Sequence, residues 1–144
     1  MRAAMGWLIV TLSTLCMAGC AGSGGPSTPT NVGLGDSFQL APGQVAVVGD
    51  TGLTLTFERV ASDSRCAVDV QCIWEGDAVV VVTAARAGQE SGRLELHTTS
   101  SGAGGARELR FGEFLVALSG LSPQPHSRNP IEARDYRATL RVTR

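Results

Sequence analysis

Several things are scarce in this chain, and each scarcity removes a class of function. Lysine is absent, and all twelve basic residues are arginines set against thirteen acidic ones, for a formal net charge of −1. They form no run or patch, so nucleic-acid binding has no electrostatic footing. Charged residues make up only 17% and aromatic residues 5%. With just two histidines, His97 and His126, and four cysteines, the stock of metal ligands is small. No apolar run is long enough to cross the roughly 30 Å hydrocarbon core as a helix. No Gly-x-Ser-x-Gly, phosphate loop or dinucleotide fingerprint occurs. Gly35-Asp36-Ser37 echoes the Gly-Asp-Ser block of a hydrolase family, but the late Asp-x-x-His those enzymes need is missing. The 144 residues are about one domain's worth.

Met1-Arg2-Ala3-Ala4 is a short positive start, and the mostly apolar stretch Trp7 to Met17 after it has the size of a signal-peptide core. Met17-Ala18-Gly19-Cys20 then resembles the lipobox of bacterial lipoproteins, with Met17 where Leu is usual. That resemblance implies cleavage before Cys20 and a diacylglycerol on its thiol. Ala21 in the next position implies, by the same family's sorting rule, the outer membrane of a Gram-negative cell. Each buried methylene contributes about 0.8 kcal/mol, so two or three acyl chains would hold the protein at a membrane. The Gly/Ser/Pro-rich stretch from Ala21 reads as a flexible tether. We therefore expect a signal peptide over 1–19, lipidated Cys20 and tether over 20–34, and one folded domain over 35–144.

With Cys16 lost and Cys20 acylated, Cys66 and Cys72 remain in an oxidising compartment, and a disulfide is expected. Zinc is disfavoured, because Cys-x5-Cys is an uncommon spacing and two more ligands would be needed.

The rest of the chain reads as strands. Leu53, Leu55 and Phe57 alternate with Thr54, Thr56 and Glu58, and the parity slips at Glu58-Arg59-Val60, as at a bulge. Ala78 to Ala85 is apolar on both parities and rich in valine, which marks an interior strand. Arg93 to His97 alternates and puts His97 on the polar face. Leu109-Phe111 and Phe114-Leu118 flank a parity change at Gly112-Glu113 that marks a bulge or a tight turn. Pro123 to Pro130 is a crossing loop, and Tyr136 to Thr143 is the cleanest alternation of all. The expected fold is all-β: about seven short antiparallel strands in a β-sandwich or small open barrel.

The chemistry, if any, gathers in Asp63 to Ala78. Asp63-Ser64-Arg65-Cys66, then Cys72-Ile73-Trp74 and Gly76-Asp77-Ala78 before a valine strand, resembles a motif of small bacterial lipoproteins and secreted proteins. Pro123-Gln124-Pro125 and Asp135-Tyr136 fit the same pattern, whereas Ala67 and Glu75 depart from it. The resemblance implies the fold and export class, and no activity.

Read from its residues, this stretch is first a staple. A disulfide would tie a loop at the base of a strand, Trp74 would cover it, and Arg65 would join an ion-pair network with Asp63, Asp69, Glu75 and Asp77. A second reading makes it a binding loop of Arg65, Ala67, Val68, Asp69, Val70, Gln71 and Trp74, held ready by the disulfide. Such a loop could inhibit an envelope or extracellular hydrolase, given Ala67–Gln71 exposed over a buried Trp74. The four carboxylates could also bind calcium or form a small hydrolase site, although Arg65 among them disfavours a cation. We expect no enzyme activity, no cofactor and no resident metal. The expected role is binding at the cell envelope, reached through an N-terminal lipid, with an envelope protein or glycan as partner and no nucleic acid.

Overall fold

A computed structural model describes residues 28–100 and 105–144. The expected signal peptide, Cys16, Cys20 and most of the expected tether lie outside the described residues, as does part of the small-residue stretch after Thr98.

Alternation of apolar and polar side chains gives each strand one face that must leave water, and two such sheets pair. Nine strands form among the described residues: β1 Thr30–Val32, β2 Ser37–Leu40, β3 Val45–Val48, β4 Leu53–Asp63, β5 Ala78–Arg86, β6 Gln89–His97, β7 Glu108–Phe111, β8 Phe114–Ser122 and β9 Arg137–Thr143. They make a five-stranded sheet in the order β1-β3-β4-β5-β6 and a four-stranded sheet in the order β2-β9-β8-β7. The chain is a β-sandwich and not a closed barrel. Apart from two short 3-10 turns, no helix is present among the described residues.

All pairs are antiparallel except β1 with β3, which run parallel. The domain boundary moves accordingly. The expected tether reached residue 34, but Thr30–Val32 is already paired, Thr30 level with Ala46 and Val32 with Val48. The free edge of β3 supplies the backbone partners that a Gly/Ser/Pro-rich composition conceals.

The core lies between the sheets. Leu53, Leu55 and Phe57 of β4 meet Val80 and Val82 of β5 and Phe114, Val116, Leu140 and Val142 of the facing sheet, all buried. Val81 is buried as well, on the outer face, beside Glu58, Arg59, Thr83 and Arg93. That explains why β5 is apolar on both parities. The parity slip in β4 is a register shift between Phe57 and Arg59, with a second between Val60 and Ser62. Gly112-Glu113 is a tight turn, since Phe111 pairs directly with Phe114 and Gly112 has φ +59°.

Candidate functional site

Beyond Asp63 and Ala78, the last ladder pair of β4 and β5, the hairpin continues as an irregular stem and a stapled tip. Ser64 N–H donates to the Asp77 carbonyl at 2.7 Å, and Cys66 N–H donates to the Glu75 carbonyl at 2.9 Å. Ser64 Oγ also donates to the Asp77 carbonyl and accepts from Asp77 N–H. Gly76 makes this stem possible. Its φ is +70°, and a Cβ there would run into the Ser64 carbonyl. Cys66 and Cys72 are joined by the expected disulfide, with their Cα atoms 6.0 Å apart.

The closed loop leans on the crossing loop after β8. Val68 N–H donates to the Pro125 carbonyl at 3.0 Å. Ser127 gives its N–H and its hydroxyl to the Asp69 carboxylate at 2.9 and 2.6 Å. Those two hydrogen bonds lead in holding the exposed Asp69 carboxyl below the usual aspartate range, and the charge of nearby His126 adds to them.

Arg65 is the clamp beneath. Its Nε donates to Asp63 Oδ1 at 2.8 Å and its Nη2 to Asp63 Oδ2 at 2.7 Å. Nη1 reaches the Leu121 carbonyl at 2.6 Å and Nη2 the Pro123 carbonyl at 2.9 Å. The Tyr136 hydroxyl donates to Asp63 Oδ2 at 3.0 Å. Asp63 ends β4 in one sheet, whereas Leu121 lies in β8 of the other and Tyr136 directly precedes β9, so the cluster joins both sheets at this end of the sandwich. Burial pushes the Asp63 carboxyl up. The Arg65 hydrogen bonds and charge, with the Tyr136 hydroxyl, outweigh it and leave the carboxyl below its ordinary value.

The remaining carboxylates are claimed separately. Asp77 Oδ2 lies 2.5 Å from His97 Nδ1, and Asp77 Oδ1 accepts from the Thr98 hydroxyl and Thr99 N–H. Burial raises the Asp77 carboxyl, but these partners lower it by more. Glu75 accepts from the Thr99 hydroxyl at 2.6 Å. The expected network of Arg65 with four acids therefore reduces to Arg65 with Asp63. His97, placed by its strand's alternation on the polar face, is a hydrogen-bond partner of Asp77. Among the described residues no three His, Cys, Asp or Glu side chains converge in a metal-binding group. A cleft of about 310 Å³ opens between the stem and Thr98-Thr99, and of Asp63, Glu75 and Asp77 only Glu75 lines it.

One expectation fails outright. Trp74 does not cover the disulfide: it is 81% exposed, and Ile73 beside it 93%. The reason is local. The loop already rests on Pro125 and Ser127 through the backbone and Asp69, and the stem bond from Cys66 to Glu75 leaves Ile73 and Trp74 outside the paired segment. Val68 and Val70 also point outward, at 58% and 49% exposure. Ile73 escaped sequence reasoning as a site residue, although a large apolar pair after a stapling cysteine was the available signal. Leu34 is the other large hydrophobic residue left exposed among the described residues.

Fold and site together define a two-sheet sandwich that presents a disulfide-closed, apolar-tipped hairpin. No protein-family model, curated protein or solved structure matches the chain.

Proposed function

We propose that the protein is a non-enzymatic module of the bacterial cell envelope, anchored through a lipid on Cys20, whose contact surface is the stapled hairpin tip. One observation carries the choice of surface. Four large apolar side chains, Val68, Val70, Ile73 and Trp74, stand in water on one short loop that is fastened by a disulfide, by the Arg65 clamp and by Asp69. Soluble proteins seldom leave such a cluster open unless something covers it. Fastening the loop beforehand reduces the entropy lost on contact.

Dispersal of the carboxylates among separate partners favours binding over a carboxylate-based hydrolase. The inhibitor reading asked for an exposed Ala67–Gln71 over a buried Trp74; Val68 to Gln71 are exposed but Ala67 is half-buried, and Trp74 is not a platform beneath them.

A benzophenone amino acid placed at position 74 tests the surface in living cells. Irradiation should yield adducts to an envelope component from position 74 and none from position 90, in β6 at the opposite end of the sandwich. Adducts from 90 alone, or none from 74, would refute the assignment.

A further inference from the structure

The strand order says which way the tip faces relative to the anchor. β1 runs parallel to β3, so Thr30 is level with Ala46 and hence with Leu55, while Val32 is level with Val48 and Leu53. The chain therefore enters the sheet travelling away from the end that carries the stapled hairpin. Followed backward from Thr30, it heads toward that end.

Lengths agree with this direction. Leu55 pairs with Ala84 and Asp63 with Ala78, so six residues of β5 span that distance, about 20 Å at a strand's rise. The stem from Ala78 to Trp74 adds four residues, which brings Trp74 to about 30 Å beyond Thr30 along the strand direction. Cys20 and Thr30 are ten residues apart, a reach of at most roughly 36 Å. That reach only slightly exceeds the distance from Thr30 to the tip, so a domain standing with its strands upright on the anchoring surface brings the tip to that surface.

We infer that the covering partner of Ile73 and Trp74 is the lipid bilayer itself: the stapled tip dips into the headgroup region of the membrane that holds the anchor. Tryptophan favours that region, since its ring is apolar and its N–H can stay hydrated. Ile73 supplies an aliphatic neighbour and the disulfide keeps the pair projecting. The rim is acidic, with Glu75 next to Trp74 and Asp69 across the loop, so the fitting surface is zwitterionic and not strongly anionic. This inference rests on the proposed lipid at Cys20.

Trp74 is the single tryptophan after residue 20, so its fluorescence reports on the tip alone. The mature protein, purified from its own membranes and reconstituted into phosphatidylethanolamine/phosphatidylcholine vesicles, is the sample. Brominated phosphatidylcholine should cost roughly a twofold loss of emission, as for an interfacial indole, and acrylamide should quench weakly. Ile73→Ser should restore acrylamide quenching while the protein still floats with the vesicles. Added phosphatidylglycerol should weaken the shielding. An acylated, vesicle-bound protein whose Trp74 is open to acrylamide and blind to brominated lipid overturns the inference alone, and leaves a protein groove as the occupant. An N-terminal peptide without acyl chains overturns the anchor and this inference together.

Discussion

Arg65 grips Asp63 through two parallel hydrogen bonds, of 2.8 and 2.7 Å, with both side chains about nine-tenths buried. The remaining Arg65 donors end on the Leu121 and Pro123 carbonyls, so one guanidinium carries the end of β4, the end of β8 and the crossing loop. Removing one partner strands a buried charge and several backbone acceptors. Arg65→Ala should therefore cost about 3 kcal/mol, and Arg65→Lys should recover little, because an ammonium cannot reproduce the fork. Urea melts of the variants against wild type measure both; an Arg65→Ala domain within about 1 kcal/mol of wild type would remove the clamp from the account.

The same pair contributes to the acid limb of stability, alongside Asp69 and Asp77. Asp63 has a folded-state pKa below its ordinary value, so its contribution is complete above the unfolded-state value and is lost as pH falls through the folded one. Stability should thus drop below about pH 4, and Asp63→Asn should be less stable at pH 7 yet show a flatter acid limb. Denaturation midpoints for both proteins from pH 7 down to pH 2.5 check the sign. Equal slopes would mean that Asp63 is not a contributing group.

Reducing the Cys66–Cys72 bond should destabilise by about 2 kcal/mol, the chain-entropy value for so short a loop. The loss should fall mainly on the tip, since β4 and β5 are paired without it. Hydrogen exchange before and after reduction would show this as faster exchange at Val68 and Val70 with the core amides protected.

Gly76→Ala is expected to cost more than about 2 kcal/mol, because a left-handed φ and a collision with the Ser64 carbonyl act together. Gly88 has a similar φ of +78° but open space around it, so Gly88→Ala should lose only about 1 kcal/mol. Thermal melts of the two single variants separate strain from collision.

Much of the sandwich was legible because period two is a local signal. β4, β6 and β9 announce themselves in this way, and β5 announces an interior position by being apolar on both faces. What stayed hidden depends on partners distant in sequence. Thr30–Val32 is a strand only because β3 offers a free edge. Asp69 finds Ser127, Asp77 finds His97 and Asp63 finds Tyr136, each across the fold, so four neighbouring acids looked like one cluster. Trp74 looked like a cover because indoles usually bury. Its exposure follows from a stem that ends one residue later, at Glu75.

β9 sits between β2 and β8 in the four-stranded sheet and adds buried Ala138, Leu140 and Val142. A chain ending before Tyr136 would lose that strand and the Tyr136–Asp63 bond, and should not give a cooperative melt. A cooperatively folding truncation would show the strand to be dispensable.

The most direct test of the whole account is the mass of the N-terminal peptide of the protein taken from its native membranes. We expect a chain beginning at Cys20 and carrying two or three fatty acyl groups. A peptide that begins elsewhere, or begins at Cys20 without acyl groups, would contradict it.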